Sequence, residues 1–133
     1  MKIEDFDPTG PSIYERAGGM DAFVSMVELF YDGVETDPVL RPIYPEDLEP
    51  GKLALAQFLA QYWGGPNTYS ERKGHPRLRM RHNPFKVTPD GADRWAAHMA
   101  AAIVSMDFSE DVARAMLEYT TAFAPQMVNT LDD

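Results

Sequence analysis

The segment from Gln61 to Phe85 reads QYWGGPNTYSERKGHPRLRMRHNPF. It begins on the apolar face of a predicted helix, and Gly64-Gly65-Pro66 ends that helix because glycine and proline both disfavour its continuation. Residues 67–87 are rich in Gly, Pro and Arg and show no sustained period, which predicts a long loop with one helical turn at residues 78–81. Loops of about 20 residues are uncommon in compact domains and are often functional.

This segment is basic within an acidic chain. The 133 residues carry a formal net charge of −9, yet six of the twelve Lys and Arg residues lie between positions 72 and 86, with no acid among them: Arg72, Lys73, Arg77, Arg79, Arg81 and Lys86. The cluster suggests a bound anion, although charge alone favours a solvated surface loop. The overall negative charge argues against nucleic acid and anionic lipid as partners, and no apolar run approaches the ~18 residues of a membrane span.

Outside this segment, apolar residues recur at helical spacing, as with Val27 and Phe30 or Leu55 and Phe58. No strand-like alternation competes, so the fold class is predicted to be all-α. Long helices are predicted at about residues 20–36, 50–63, 88–106 and 109–127, with a short helix at 13–16 and tight helical turns at 38–44. Pro125 is expected to kink the last helix. Residues 1–11 are expected to form a flexible leader, and residues 12–133 a single domain.

The chain has no cysteine, which excludes disulfides, thiolate nucleophiles and iron–sulfur clusters. The spacing of His75, His82 and His98 matches no zinc signature. Taken alone, each is more often structural than a ligand: a ring bonded to loop backbone is expected for His75, and a core or rim position for His98. No nucleotide-binding glycine motif and no nucleophile–base pair is present, so no catalytic residue is assigned.

Five aromatic side chains with polar tips lie on or beside the predicted apolar faces: Tyr31, Tyr44, Tyr62, Trp63 and Trp95. Buried phenol and indole groups need hydrogen-bond partners. Either each tip reaches backbone or water, or several tips converge on a bound polar ligand. These residue types leave both alternatives open.

Several motifs together resemble the group II, or O-type, truncated haemoglobins. They are the Y-W-G-G-P box at residues 62–66, the G-H-P-x-L-R-x-R-H-x-P-F loop at 74–85, Phe30-Tyr31, the Tyr44-Pro45-Glu46-Asp47 corner, and Trp95. The resemblance covers about residues 12 to 129. It implies a two-over-two helical sandwich around haem b, that is, iron protoporphyrin IX.

The resemblance also implies roles for single residues. His82 matches the proximal iron ligand, for which a neutral imidazole is well suited. Tyr31, Tyr44 and Trp95 match distal residues, whose O–H and N–H groups stabilise the partial negative charge of bound O₂.

Other matching residues concern the porphyrin itself. Leu55 and Phe58 match apolar residues that line the haem. The resemblance also implies that the basic loop binds the two haem propionates. Arg79 and Arg81 are the leading candidates for this contact, with Tyr69 as a neutral donor to the same carboxylates. Solvent-facing charge remains the alternative for each arginine.

Three positions depart from the family pattern. Gly51 occupies the distal gate, where a small residue is usual, and its missing side chain is expected to leave an open side entrance. Ala54 replaces a basic residue found near the propionates, although Lys52 is close. The corner loop is one residue shorter than in relatives.

Three functions follow as alternatives. The first is a haem protein that binds O₂ and other diatomics such as NO and CO. The second is a haem enzyme performing NO dioxygenation or peroxidase-type chemistry in the same pocket with an external electron donor, and the third is a helical interaction module without cofactor. The acidic N-terminus lacks an apolar signal region, so a cytoplasmic location is expected. The oligomeric state is left open, a homodimer being one alternative.

Overall fold

The computed structural model describes residues 12–73 and 87–128. The predicted turn at residues 78–81 and the predictions on His75, His82, Arg79 and Arg81 lie outside the described residues. Within them the chain is helical and contains no strand, as the all-α prediction requires. None of the described helices is long and apolar enough to cross a membrane.

The α-helices in chain order are α1 (Ile13–Ala17), α2 (Met20–Thr36), α3 (Glu49–Tyr62), α4 (Thr68–Lys73), α5 (Pro89–Ser105) and α6 (Glu110–Phe123). Two 3-10 turns, Arg41–Ile43 and Ala124–Met127, follow α2 and α6. Two predicted caps form: the Ser12 hydroxyl accepts from the amide of Glu15 at 3.1 Å, and the Thr88 hydroxyl accepts from the amide of Gly91 at 3.0 Å. The irregularity expected at Pro125 is a change from α to 3-10 geometry at Ala124.

Helix α4 corrects the prediction that residues 67–87 form a loop. Its sequence, TYSERK, has no apolar period and gave no helical signal. Tertiary contacts stabilise it instead, because the Gln61 side chain at the end of α3 accepts from the amide of Ser70 at 2.9 Å and donates to its hydroxyl at 2.7 Å. Tyr69 is buried and meets Phe58 edge to face at 5.4 Å.

The helices pack in two pairs around one core. Helix α2 packs against α3 and α5, and α5 packs against α6 and the 3-10 turn after it. The most deeply buried large side chains come from α2, α5 and α6, and include Phe23, Met26, Phe30, Ile103 and Met116. Each such side chain contributes about 1.5–3 kcal/mol by leaving water, which makes this the main stabilising term of the fold.

Gly64 and Gly65 leave room for helix α1 to pack against the end of α3. A Cβ atom on Gly64 would lie 2.7 Å from that of Ser12, and one on Gly65 would lie 2.6 Å from the Tyr14 ring. The Tyr14 amide donates to the carbonyl of Trp63 at 2.9 Å. The glycine pair therefore ends α3 and also leaves the space in which α1 docks.

Candidate functional site

Three aromatic side chains with polar tips converge beside two cavities. Tyr31 comes from α2, Tyr44 follows the first 3-10 turn, and Trp95 comes from α5. These three residues line both a cavity of about 200 Å³ and a second one of about 120 Å³. The structure thus brings together the three distal residues predicted from the sequence.

Tyr44 contacts both Tyr31 and Trp95, and the three residues together form an aromatic row. The Trp95 indole is placed to donate a hydrogen bond to the Tyr44 hydroxyl oxygen, which acts to lower the pKa of Tyr44. The rings of Tyr31 and Tyr44 meet edge to face at 5.7 Å. Because the Trp95 N–H is used on the Tyr44 oxygen, the Tyr44 O–H proton remains available to a ligand, and accepting a bond makes a hydroxyl a stronger donor.

Both phenols stay protonated at neutral pH. Burial raises the pKa of Tyr31 to about 12, against an opposing effect of the Lys52 charge. Burial and then the neighbouring Tyr31 raise the pKa of Tyr44, and the hydrogen bond from Trp95 opposes that rise. A phenol that keeps its proton can donate to a bound molecule that carries negative charge.

The smaller cavity has an apolar wall. Leu55 and Phe58 line it from α3, and both are residues that the family resemblance assigns to the haem surface. Tyr119 and Phe123 of α6 also line it, stacked at 5.5 Å with an interplanar angle of 9°. Tyr119 and Phe123 are four positions apart, which is the spacing of an apolar helix stripe, and residues on such a stripe are normally core. The sequence therefore did not single them out as cavity residues.

Gly51 lies in close contact with the Tyr31 hydroxyl. A Cβ atom at this position would be 2.8 Å from the Tyr31 oxygen, well inside normal contact. The space that a side chain would take is therefore occupied by the phenol, and Gly51 also lines the larger cavity. The side entrance expected at this position stays a prediction.

Lys52 forms an ion-pair group above the same tyrosine. Its ammonium lies 2.9 Å from a Glu49 carboxylate oxygen and 3.1 Å from one of Glu28, with 6.0 Å to the centre of the Tyr31 ring. Hydrogen bonds with Glu49 and then Glu28 raise the Lys52 pKa. Among the described residues, this lysine thus binds carboxylates of α2 and α3, whereas the sequence suggested it as a substitute for a basic residue near the propionates.

A charged network links the end of α2 to α5. One carboxylate oxygen of Asp37, the residue that ends α2, accepts from the amides of Val39 at 2.9 Å and Leu40 at 3.1 Å and from Arg94 at 3.2 Å. The other oxygen lies 2.8 Å from Nε2 of His98, which occupies a rim position. Asp37 is 7% exposed.

The ionised form of Asp37 is strongly favoured. Burial acts to raise its pKa, but the hydrogen bonds from His98, Val39 and Leu40, together with the Arg94 charge, outweigh burial and lower the pKa to about 2. The sequence did not indicate this site, because its partners lie about sixty positions away in the chain.

Comparison with known proteins identifies the class. A family model described as bacterial-like globin matches residues 12–129, and the chain belongs to that family. Within it, the chain is similar to the group 2 truncated hemoglobin YjbI of Bacillus subtilis, at 37% identity over 114 residues, which is 86% of this chain and 86% of that protein.

Solved structures agree in both fold and sequence. A hemoglobin from the thermophilic phototrophic bacterium Chloroflexus aurantiacus is 49% identical, with a TM-score of 0.89 over 90% of this chain and 99% of that one. The group II truncated hemoglobin of Bacillus anthracis is 37% identical, with a TM-score of 0.89 over 94% of this chain and 96% of that one. The relation to group II truncated haemoglobins and the truncated-globin fold are thereby confirmed. Membership of the family implies a haem group and small diatomic gases such as O₂ as ligands.

Proposed function

We propose that this protein holds haem b through His82 and binds O₂ on the side of Tyr31, Tyr44 and Trp95, with NO and CO as further ligands. The observation that carries the proposal is the convergence of three polar-tipped aromatic residues on cavities whose other walls are apolar. Each buried phenol or indole group needs a hydrogen-bond partner. A ligand bound at the point where the three groups converge would supply such a partner.

The residues around the cavities suit a porphyrin. A flat apolar macrocycle needs apolar walls, and Leu55 and Phe58 provide them at the smaller cavity. Val87 lines the larger cavity and follows His82 by five positions, so the chain that carries the proposed iron ligand returns to the site at this point.

Each distal residue has a separate task in this proposal. Haem supplies the iron position at which a diatomic gas binds. Tyr44 donates its hydroxyl proton to the ligand, and Trp95 orients Tyr44 by donating to its oxygen. Tyr31, held between Gly51 and the Lys52 group, is the second donor. Hydrogen bonds to a charged acceptor contribute about 1.5–3 kcal/mol each, which slows O₂ release.

Arg79, Arg81 and Tyr69 are proposed to hold the propionates. Tyr69 is buried, and its ring contacts that of Phe58, a residue that lines the smaller cavity. The two arginines belong to the same basic segment as His82. A guanidinium binds a carboxylate through two parallel hydrogen bonds, which would fix the orientation of the porphyrin.

A haem redox function, with NO dioxygenation or peroxide as the chemistry, remains a second candidate. It is favoured by the number of donors at the ligand position, because slow O₂ release does not suit delivery. Such a cycle needs an external electron donor. The cytoplasmic location stays a prediction from the sequence, and the oligomeric state stays open, with a homodimer as one alternative.

The test is haem binding by the purified protein and by two histidine variants. The wild type should show the Soret band of a haem protein, and His82→Ala should abolish stable haem binding or the five-coordinate imidazole spectrum. His75→Ala is the matched control, since it lies in the same segment and should leave the spectrum unchanged. Loss of the spectrum in His75→Ala with retention in His82→Ala would overturn the ligand assignment.

A further inference from the structure

Lys52 places a partly buried positive charge beside one of the proposed ligand donors. Its side chain is 19% exposed, and its ammonium lies over the Tyr31 ring, 6.0 Å from the ring centre. The hydroxyl of the same tyrosine is in close contact with Gly51, the neighbour of Lys52 in α3. An ammonium over an aromatic face is attracted to the electron density of the ring. The contact fixes a cation next to a phenol that lines both cavities.

Two carboxylates offset this charge from a more exposed position. Glu28 of α2 lies 3.1 Å and Glu49 of α3 lies 2.9 Å from the Lys52 ammonium. Their side chains are 49% and 73% exposed, so water screens their charges more strongly than that of the lysine. We therefore expect a net positive potential at the Tyr31 ring.

A positive potential strengthens the Tyr31 hydroxyl as a donor. A cation beside a phenol favours the ionised form and so makes the O–H group a stronger hydrogen-bond donor. Burial raises the pKa of Tyr31 to about 12, and the Lys52 charge acts to lower it. The phenol thus keeps its proton at neutral pH and donates more strongly than it would without the lysine.

We propose that Lys52 sets the strength with which Tyr31 donates to a bound diatomic gas, and that Glu28 and Glu49 hold the ammonium in place and partly offset its charge. The proposal rests on the proposed function, in which Tyr31 is a donor to the ligand. Bound O₂ carries partial negative charge, whereas bound CO is less polar, so the lysine favours O₂ over CO. Lys52 is in this sense a positioning residue that determines ligand specificity through Tyr31.

A purely structural role is the alternative, because the same ion pairs join α2 to α3. Two variants with opposite changes of charge separate the explanations. Lys52→Met removes the positive charge and keeps an unbranched side chain. The double variant Glu28→Gln with Glu49→Gln removes the opposing charges, and its amide oxygens can still accept from the ammonium. Donor tuning moves the two variants in opposite directions, whereas loss of a structural contact moves both in the same direction.

The experiment uses haem-loaded protein and measures O₂ release, CO release and the C–O stretching frequency of the CO complex by infrared spectroscopy. This frequency falls as the potential at the ligand becomes more positive, so it reports the local field and not the stability of the fold. Lys52→Met should speed O₂ release about threefold and raise the frequency, as expected for loss of one cation–ring contact. The double glutamine variant should slow O₂ release about twofold and lower the frequency. CO release should change less in both.

Two controls limit the interpretation. Arg114→Met also removes one positive charge from an ion pair, with Glu110 at 2.8 Å on α6, but Arg114 is not among the described residues that line the two cavities. It should leave the frequency and O₂ release unchanged. In a Tyr31→Phe background, Lys52→Met should have almost no effect, because no hydroxyl is left to tune.

Three results would overturn the proposal. They are a shift of the lysine and double glutamine variants in the same direction, an equal effect of Lys52→Met with and without the Tyr31 hydroxyl, and a shift in Arg114→Met as large as that in Lys52→Met. A wild-type protein without a Soret band, or unchanged O₂ release in Tyr31→Phe alone, would instead count against the proposed function. The two kinds of failure are thereby distinguished.

Discussion

Two regions join the segment after α2 to helix α5, and they do so with opposite chemistry. At Asp37 the connection is ionic, with one carboxylate bound by Arg94 and His98. At Tyr44 it is neutral, a single hydrogen bond from Trp95. Asp37, Arg94 and His98 line neither of the two cavities. Tyr44 and Trp95 line both of them.

The difference shows how stability and ligand binding are divided. A carboxylate at the cavity would repel a ligand that carries partial negative charge, and would need partners that then could not donate elsewhere. Neutral phenols and an indole hold their geometry without such a charge and keep O–H protons free to donate. We therefore expect variants of the ionic region to change folding and variants of the neutral region to change ligand release.

The largest effect is expected for Asp37→Ala. It removes the acceptor of Arg94, His98 and two backbone amides, and should lower the free energy of unfolding by about 2–3 kcal/mol while changing O₂ release by less than about threefold. Urea unfolding and ligand replacement measure the two quantities. Asp90→Ala is the matched control, since Asp90 also binds Arg94, at 3.0 Å, but its side chain is 45% exposed. Equal losses in the two variants would contradict a special role of Asp37.

Next come Tyr44→Phe and Trp95→Phe. Each should speed O₂ release roughly 10-fold to 100-fold, because one hydrogen bond to a charged acceptor contributes about 1.5–3 kcal/mol. CO release should change less, since bound CO is less polar. Trp95→Phe acts through Tyr44, so the double variant should show less than the sum of the single effects. Flash photolysis measures all rates, and a change below about twofold in both single variants would remove these residues from the donor set.

A smaller effect is expected from pH. The folded-state pKa of Asp37 is lowered to about 2 from an ordinary value of 3.8, so its stabilising contribution is complete only above about pH 5 and is lost as pH falls through about 2. The difference in unfolding free energy between wild type and Asp37→Asn should therefore shrink between pH 5 and about pH 2.5. A constant difference over that range would show that charge is not what stabilises the contact.

The smallest effect is expected for Gly51→Ala. The added Cβ atom would meet the Tyr31 oxygen at 2.8 Å and force the hydroxyl to move. O₂ release should change severalfold, less than the ~10-fold loss of a whole hydrogen bond. In a Tyr31→Phe background the same substitution should have almost no effect, because no hydroxyl is left to displace. An equal effect in both backgrounds would show that residue 51 does not act through the Tyr31 hydroxyl.

Whether a helix could be predicted from the sequence depended on whether a local pattern or a distant contact stabilises it. Helix α2 was predicted with its observed ends, because an apolar period and a stop at Asp37-Pro38 both mark it. Helix α4 was missed, because its six residues show no apolar period and are held in a helix by Gln61 and by the burial of Tyr69. Local patterns are visible in sequence, whereas stabilisation by a distant residue is not.

Some features of the candidate site could likewise be found from the sequence, and others could not. Tyr31, Tyr44 and Trp95 were found through a family motif, since nothing in their spacing brings three elements together. The Trp95–Tyr44 hydrogen bond and the Gly51 contact required coordinates. Tyr119 was hidden in an apolar stripe, where a cavity-lining ring and a core ring look alike in sequence.

The docking of α1 onto Gly64 and Gly65 has a consequence for the order of folding. The contact joins residues 12–14 to residues 63–65, so it closes a loop of about 50 residues, whose entropic cost grows with the logarithm of its length. Helices α2 and α3, adjacent in the chain, can pair before that loop closes. We expect α1 to join after the transition state, and to detach as a local opening while the rest of the molecule stays folded.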